Sequence, residues 1–536
     1  MYENQSAGKA HFFVVAGCLV LYLLVALRHL EILPPVYEDE PWLASTGLKL
    51  ATRGIFGSDM FAGFYGMESH CYACMPLHPS LLAVTYRLVG FGLFQTRLEP
   101  VMMGLLALAL TYALGRRLFG PGVGLLAVGL MLFTRFTAAA PSRLTGILLL
   151  DVARIARYDI VVSVCGLASL HAYVSARKRA DARLYALAGL MAGLSGLAHV
   201  YGAFWIVALA ILAVWDRAAR RAFVALAIGF VAPWLVYLVY VLQNPADWAG
   251  QVRGYAPRFD LLNPAWYWDN LRNEYQRYAP GIDSIRQVAT RPGLALITVV
   301  WPAALLALFR RAIRLSDGAA RTLAVPALVM PALFALLLHI KMSNYLIAVL
   351  PLGALVVAWG LVSLWRWAGR TWQPFASRWM QVAVAGLTCA VFAEGIARIG
   401  MLESLAATTT PYPEFIARVR AFVPHDARVL GLHNYWLGLH GLDYRSWLVP
   451  VLQADARYSS APLPVEAVLD RIAPDVILLD PRMRAYLDDP GAGDPVGGIR
   501  DWMERQHFVR IGVVNDGTYG VMEILARPGV SSPSSP

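Results

Sequence analysis

The composition of this 536-residue chain excludes an ordinary soluble globular protein. Hydrophobic residues make up 58% of the sequence and charged residues only 15%, whereas soluble domains carry about 25% charged residues. The mean hydropathy of +0.52 therefore predicts a polytopic α-helical membrane protein. The formal net charge of +11 does not indicate a nucleic-acid partner, because the cations fall in short connections between apolar runs, which is the positive-inside pattern.

Eleven apolar stretches are near the length of a membrane-spanning helix. The first continues past Cys18 to Leu30, which argues against a cleaved signal peptide or a lipid anchor. With the basic connections in the cytoplasm, the N-terminus is predicted inside and the C-terminus outside. The stretches are 11–30, 98–118, 121–140, 159–176, 184–199, 201–215, 222–242, 293–309, 322–340, 344–364 and 379–399.

Two further apolar stretches, 78–94 and 143–156, contain charged residues and are predicted to be interface helices rather than spans. Either one as a span would invert the charge asymmetry of the connections that follow it. The prediction is therefore a membrane domain over 1–402, with extracytoplasmic loops at 31–97 and 243–291. The second loop is rich in tryptophan and tyrosine, for which anchoring at the membrane interface is favoured over sugar stacking.

Beyond residue 403 the long apolar runs stop and short amphipathic segments alternate. Residues 403–528 are predicted to form an extracytoplasmic α/β domain, and 529–536 a disordered tail. Asn515-Asp516-Gly517 indicates a hairpin before a final strand. The predicted helices are 413–423 and 464–473, and the predicted strands are 428–432, 475–480, 508–514 and 519–524.

Three consecutive carboxylates, Glu38, Asp39 and Glu40, follow the first apolar stretch. The same loop contains a Cys71-x-x-Cys74 pair, for which a local disulfide is favoured over a metal site in an oxidising compartment. A divalent metal ion is a possible cofactor, and residue type alone makes its candidate ligands Glu68, His70 and His78.

Other charged and aromatic residues fall on the same predicted outward face, at the ends of later stretches. Arginines on this outward face break the positive-inside pattern. Their presence there favours a role in binding an anion such as a lipid phosphate. Simpler explanations stay open, since Arg157 can pair with Asp159 and Lys341 can extend towards the interface. The residues are Arg154, Arg157, Asp159, His199, Tyr201, Lys341 and Tyr345.

These segments resemble the GT-C glycosyltransferases that use polyprenyl-phosphate sugars, a family that includes protein O-mannosyltransferases and the lipid A aminoarabinose transferase. The resemblance covers most of the membrane part of the chain. It rests on Asp39-Glu40-Pro41-Trp42, Met75-Pro76-Leu77-His78-Pro79 followed by Arg97, Ala153 to Asp159, and Lys341-Met342-Ser343-Asn344-Tyr345 with Pro351.

The resemblance implies an inverting transfer of a hexose or pentose from a polyprenyl-phosphate donor to an envelope lipid, polysaccharide or protein. Asp39 would be the base, with Glu40 beside it, although the extra acid at Glu38 leaves the choice of base open. The other implied roles are donor phosphate binding by Arg154, Arg157, Lys341 and Tyr345, and substrate binding by Asp159, His199 and Tyr201.

The expected location is the bacterial inner membrane, with the active site outside. The sugar, the acceptor and the metal requirement are not identified by the sequence. Two other functions stay open at this point: a transporter or flippase of a lipid-linked or anionic substrate, and a noncatalytic scaffold that presents the C-terminal domain.

Overall fold

A computed structural model describes residues 2–136, 145–278, 291–370, 374–488 and 498–530. The chain divides into two compact units, each built from segments that are distant in sequence. The first unit consists of Met1–Arg28, Pro100–Leu238 and Arg258–Leu402, and the second of His29–Glu99, Val239–Pro257 and Glu403–Pro536.

Apolar helices account for most of the first unit. Among the described residues, seven helical segments are long and apolar enough to cross a membrane, and four shorter apolar helices accompany them. Each of the eleven predicted stretches coincides with one of these helices, whereas the number that spans the membrane stays a prediction. The seven are Leu93–Phe119, Asp159–Arg179, Arg220–Val241, Pro292–Arg314, Gly318–Leu337, Leu350–Ala368 and Ser377–Arg420, and the four are His11–Leu27, Pro121–Phe133, Ala182–Ala198 and Val200–Trp215.

The helix bounds follow apolar length and the residues that end each run. Asp317, for example, is the N-cap of the helix Gly318–Leu337, because its carboxylate accepts from the backbone N–H groups of Ala319 and Ala320. The α-helices up to residue 278 are Tyr2–Leu27, Asp39–Arg53, Leu77–Val89, Leu93–Phe119, Pro121–Phe133, Leu148–Ala153, Asp159–Arg179, Ala182–Ala198, Phe204–Trp215, Arg220–Val241, Pro245–Val252, Pro264–Arg272 and Tyr275–Tyr278. Those that follow are Pro292–Ala295, Trp301–Arg314, Gly318–Leu337, Leu350–Ala368, Pro374–Ala407, Tyr412–Arg420, Trp436–Leu439, Leu448–Ala454, Val465–Ile472, Pro481–Asp488 and Ile499–Arg505.

Short segments of one or two turns of other helix types join these elements. They are the 3₁₀ turns Asp59–Phe61, Val200–Ala203, Arg253–Arg258, Ser343–Ala348 and His433–Tyr435, and the π turn Leu296–Val300.

Glycines allow two helices of the first unit to pack backbone to backbone. A Cβ atom at Gly189 would lie 2.1 Å from the Leu226 carbonyl oxygen, and one at Gly229 would lie 2.0 Å from that of Ala186. Close approach at small residues is a common source of helix association in membranes, where the hydrophobic effect does not drive it. The contact between Ala182–Ala198 and Arg220–Val241 therefore depends on these glycines.

The described part of the second unit contains a five-stranded sheet, in the order β2-β1-β3-β5-β4. β1 pairs in parallel with β2 and β3, and β5 pairs antiparallel with β3 and β4. The predicted closing hairpin is present as β4 and β5. The strands are β1 Arg428–Gly431, β2 Asp443–Ser446, β3 Val476–Leu479, β4 Val509–Asp516 and β5 Gly520–Ala526.

The sequence did not predict β2, because its four residues, Asp-Tyr-Arg-Ser, include only one large apolar side chain. β2 pairs with β1 in parallel, so no short hairpin turn in the sequence signals the pairing. The boundary predicted at 402/403 coincides with the start of the last segment of the second unit, but this unit also includes residues 29–99 and 239–257.

The two predicted interface helices have different outcomes. The first, Leu77–Val89, is amphipathic, with Leu82 buried and Leu88 exposed. In the second stretch, residues 143 and 144 lie outside the described residues, and the helix there is only Leu148–Ala153. All six of its residues are buried, so a protein interior and not the membrane surface surrounds it.

Replacement of Gly189 by alanine is expected to lower the stability of the helix pair by about 1–3 kcal/mol, because a methyl group has no room against Leu226. The matched control is Gly122→Ala, since a Cβ at that exposed helical position meets nothing within 4 Å and alanine favours a helix by about 0.5–1 kcal/mol. Thermal unfolding of both variants in detergent measures the difference. Equal midpoints would contradict the proposed backbone contact.

Candidate active site

The carboxylate of Glu40 is fixed by a buried ion pair in the second unit. Its two oxygens accept from Nε and Nη2 of Arg97, both at 2.8 Å, and both side chains are wholly buried. Arg97 also donates to the Leu30 carbonyl oxygen at 2.7 Å, and the Tyr37 backbone N–H donates to Glu40 at 2.8 Å. A bidentate pair of this kind satisfies both charges in a dry site, so Glu40 is held as an acceptor of fixed hydrogen bonds.

The other two carboxylates have different surroundings. Asp39 is the first residue of the Asp39–Arg53 helix and is partly exposed. Glu38, also partly exposed, forms an ion pair with Arg482. The three acids are therefore not equivalent, because Glu40 is wholly buried against Arg97 whereas Asp39 and Glu38 are partly exposed.

The predicted metal ligands do not converge. Oδ2 of Asp247 lies 2.7 Å from Nε2 of His70, whereas the buried His78 lies 3.3 Å from Glu99. Glu68 accepts from the backbone N–H of Gly63 at 3.1 Å. Across the described residues, no group of three or more His, Cys, Asp or Glu side chains is arranged to hold a metal ion. The ligand set proposed from residue type therefore does not fit a metal here.

Cys71 and Cys74 lie side by side, as the disulfide prediction requires. Their sulfur atoms are 2.8 Å apart, both residues are buried, and both thiols are free in this structure. Oxidation to a local disulfide stays a prediction.

A second polar centre lies in the first unit, at the start of the Asp159–Arg179 helix. Arg157 donates to Asp159 at 2.7 Å, and the Tyr201 hydroxyl donates to the other oxygen of the same carboxylate at 2.5 Å. All three side chains are buried. The structure thus brings together three of the residues singled out in the sequence.

Aromatic rings extend from this centre. His199 stacks on Tyr158 with ring centroids 4.4 Å apart and lies 5.9 Å from Tyr345, whose ring is 5.0 Å from that of Tyr201. Nδ1 of His199 accepts from the backbone N–H of Tyr201 at 3.5 Å, which links the imidazole to the same centre.

Lys341 reaches this aromatic group through two residues that the sequence did not single out. Lys341 and Arg277 share the carboxylate of Glu274, each at 2.8 Å. The Arg277 guanidinium lies over the Tyr345 ring, 5.7 Å from its centroid. Burial lowers the pKa of Lys341, and the hydrogen bond to Glu274 opposes that shift. Glu274 and Arg277 are three residues apart, a spacing typical of a helical ion pair, and this was the signal that could have found them.

Glu274 also lines an apolar cavity of about 490 Å³ in the same unit. Two cations, Arg277 and Lys341, share the single carboxylate of Glu274, which leaves one positive charge in excess at this edge of the cavity. We use the term cation cluster for Arg157, Asp159, Glu274, Arg277 and Lys341. The cation cluster provides positive charge beside an apolar cavity, and this combination suits the binding of an amphiphilic anion.

Arg154, predicted to contact the same phosphate, has a different environment. It donates to the carbonyl oxygens of Val25 at 3.0 Å and Arg28 at 2.7 Å, where the first helix ends. Cations there offset the partial negative charge of the last carbonyls. These contacts give Arg154 a part in fixing the end of that helix.

Long apolar helices define the class of helical membrane proteins, and comparisons with known proteins support this class. A model of the family described as dolichyl-phosphate-mannose-protein mannosyltransferase matches residues 73–243. No curated protein matches the chain.

Solved structures extend the similarity to almost the whole chain. The structure of ArnT from Cupriavidus metallidurans bound to undecaprenyl phosphate matches with a TM-score of 0.57 at 15% identity, over 97% of this chain and 99% of that one. The archaeal oligosaccharyltransferase AglB from Archaeoglobus fulgidus, in complex with an inhibitory peptide and a dolichol-phosphate, matches with a TM-score of 0.56 at 11% identity, over 98% of this chain and 75% of that one. The chain has the fold of these proteins, and the predicted resemblance to the GT-C glycosyltransferases is confirmed.

Replacement of Arg97 by methionine is expected to lower the free energy of unfolding by about 3–5 kcal/mol, because it leaves the Glu40 carboxylate buried without its guanidinium. Adding Glu40→Gln to the same variant removes that charge and should restore much of the loss. Denaturant unfolding of the full chain in detergent measures both changes.

A matched control for this comparison is Arg505→Met. Arg505 forms an ion pair with Glu466 at 2.9 Å, but both side chains are largely exposed, and such pairs contribute at most about 1 kcal/mol. A double variant as unstable as Arg97→Met alone would show that the cost does not come from the unpaired carboxylate.

Proposed function

We propose that this protein is a membrane glycosyltransferase that transfers a sugar from a polyprenyl-phosphate donor to a cell-envelope acceptor. The observation that carries the proposal is the cation cluster beside an apolar cavity. The fold shared with ArnT, whose structure contains undecaprenyl phosphate, supports it. The acceptor is a lipid, a polysaccharide or a protein of the envelope.

A polyprenyl phosphate joins an anionic head to a long apolar chain, and the cluster offers a partner for each part. Lys341 and Arg277 provide donors for phosphate oxygens, and the cavity lined by Leu346, Val349 and Leu350 suits isoprene units. When the sugar leaves the phosphate, negative charge grows on the oxygen that linked them. Fixed cations in a site of low dielectric stabilise that charge without reorganisation.

Asp39 is our candidate for the base that accepts the proton of the acceptor hydroxyl. Glu40 is buried in its pair with Arg97, whereas Asp39 is partly exposed at the start of its helix, and this exposure supports Asp39 as the residue that meets an acceptor. The hydroxyl oxygen attacks the anomeric carbon as the bond to the phosphate breaks, so the configuration at that carbon is inverted. The sugar transferred is a hexose or a pentose.

We place the protein in a bacterial inner membrane, with the N-terminus in the cytoplasm and the catalytic residues outside. The basis is the arginines in the last turns of four helices: Leu93–Phe119, Asp159–Arg179, Trp301–Arg314 and Leu350–Ala368. Basic residues at cytoplasmic helix ends are the main determinant of orientation.

Binding of undecaprenyl phosphate to the purified chain in detergent tests the cation cluster. Lys341→Gln removes a charge-assisted contact worth about 1.5–3 kcal/mol and should weaken binding by about tenfold or more. Glu274→Gln removes a carboxylate that competes with the phosphate for Lys341 and Arg277, so it should strengthen binding. Damage to the fold would weaken binding in both variants. Weaker binding with Lys341→Gln and stronger binding with Glu274→Gln would therefore indicate an effect of charge.

The matched control is Lys178→Gln, at an exposed position in the last turn of the Asp159–Arg179 helix, which should bind as the unmodified protein does. Equal binding by all variants, or no binding by any, would refute the assigned phosphate site.

Transfer separates the role of Asp39 from binding. With a panel of undecaprenyl-phosphate sugars, Asp39→Asn should still bind undecaprenyl phosphate but release it from the donor at least about 100-fold more slowly, because a general base contributes about 10²–10⁴-fold. Glu38→Gln should retain most of the activity. The reverse pattern would show that Glu38 is the base, and lipid uptake into vesicles without sugar release would favour a transporter.

A further inference from the structure

The second unit contains a polar cavity of about 430 Å³ that the proposed reaction does not use. One wall is the later part of the Asp39–Arg53 helix and the other is the segment 436–445, which includes β2. Its size falls within the range of small-molecule sites, about 300–1,000 Å³. We call it the 45–445 cavity.

Basic side chains outnumber acidic side chains at this cavity. Asp59 forms ion pairs with both Lys49 and Arg53, and its backbone oxygen accepts from Arg445 at 2.5 Å. Lys49, Arg53 and Arg445 thus each direct a hydrogen-bond donor to Asp59. Only the carboxylate of Asp59 opposes Lys49 and Arg53 within this described group.

Asp443 repeats the arrangement on the opposite wall. It accepts from Arg445 at 2.9 Å through one oxygen and from Arg428 at 2.7 Å through the other. The groups that line the cavity include three cations, Lys49, Arg53 and Arg445, and two carboxylates, Asp59 and Asp443, which leaves one positive charge in excess. A purely structural ion-pair network needs neither a concave surface nor this excess, so an anionic ligand explains the arrangement better.

The remaining lining groups are those that recognise sugars. Trp436 and Tyr444 contribute aromatic surface, on which the apolar face of a sugar ring can pack. Nδ1 of His440 lies 3.0 Å from the Leu437 carbonyl oxygen, and since a carbonyl only accepts, this nitrogen carries the proton. Burial lowers the pKa of His440, so the ring is neutral near pH 7 and Nε2 is an acceptor for a hydroxyl group.

We propose that the 45–445 cavity binds an anionic sugar unit of the acceptor, one that carries a phosphate or a carboxylate group. Arg53, Arg445 and Lys49 contact the anionic group, and Trp436 and His440 contact the ring. The inference rests on the proposed function, because it assigns this ligand to the acceptor of the transfer reaction.

The position of the cavity on its helix argues against a role in the chemical step. Lys49 follows Asp39 by ten residues, which corresponds to about 15 Å along a helix axis at 1.5 Å per residue. A sugar ring is shorter than this distance, so the unit bound in the cavity is not the one that reacts at Asp39. Binding energy from such a remote unit can position the reacting hydroxyl and raise the rate of transfer.

Small probes test the cavity in the full-length protein in detergent: glucose 6-phosphate, glucuronic acid, glucose and inorganic phosphate. Saturation-transfer NMR should detect glucose 6-phosphate or glucuronic acid, or both, and the tighter of the two identifies the anionic group of the acceptor. Binding of neither one would overturn the proposal. Inorganic phosphate bound as tightly as glucose 6-phosphate would overturn the sugar assignment.

Two variants change the charge of the cavity in opposite directions. Arg53→Gln, at a side chain that is 64% exposed, should weaken binding by about tenfold, the effect of one lost charge-assisted contact. Asp443→Asn leaves Arg445 with a neutral partner and should strengthen binding. The matched control is Arg505→Gln, whose side chain is 57% exposed and also pairs with one carboxylate, but which does not line the cavity; it should bind as the unmodified protein does. An equal response to Arg53→Gln and Arg505→Gln would overturn the assignment.

The two proposals fail in different ways. Arg53→Gln should leave undecaprenyl phosphate binding unchanged, since that ligand is assigned to the cation cluster. Anionic sugar binding without undecaprenyl phosphate binding would refute the proposed function and support the cavity. Undecaprenyl phosphate binding without anionic sugar binding would support the proposed function and refute the assignment of the cavity.

Discussion

The bidentate pair between Glu40 and Arg97 is the interaction on which the arrangement of the proposed base depends. Both side chains are wholly buried, Arg97 also donates to the Leu30 carbonyl oxygen, and Glu40 also accepts from the Tyr37 backbone N–H. A buried charge without a partner costs several kcal/mol, so neither member can be moved or neutralised alone. The pair therefore fixes the first turn of the Asp39–Arg53 helix, and with it the backbone of Asp39.

Adjacent carboxylates acquire different roles through their surroundings. Glu40 points into a dry site where two guanidinium nitrogens bind it, while Asp39 is partly exposed at the same helix start. Both oxygens of Glu40 face the Arg97 guanidinium, so an acceptor hydroxyl cannot approach them. The partly exposed Asp39 is better placed to meet such a hydroxyl, and this difference in exposure separates the two residues that the sequence places side by side.

Much of the fold follows from the sequence, since apolar length and turn residues are local properties. Each of the eleven apolar stretches contains an apolar helix among its described residues, and the hairpin after Asn515 is present. The short strand β2 was missed because its pairing with β1 is decided by tertiary contacts and not by its own four residues. The interface helix expected at 143–156 is short and buried, because its apolar residues pack inside the protein.

The candidate site was only partly accessible to the same reasoning. Arg157, Asp159 and Tyr201 were singled out, and they do meet. Glu274 and Arg277 were not, because their spacing indicates a helical ion pair but does not reveal that the pair also binds a lysine 67 positions away. The metal ligands proposed from residue type fail for a related reason: His70 and His78 are close in sequence but have different acidic partners.

Surplus positive charge characterises both the cation cluster and the 45–445 cavity, each within its own unit. In both places cations share fewer carboxylates, and the carboxylates hold them in position. An excess of buried or partly buried cations is unfavourable for the protein alone, because each one loses hydration without a full counter-charge. An anionic ligand removes that penalty when it binds, so part of its binding energy comes from charges that folding leaves incompletely neutralised. The carboxylates then have two effects, since they stabilise the empty site and compete with the ligand, and removing one of them should destabilise the protein while it strengthens binding.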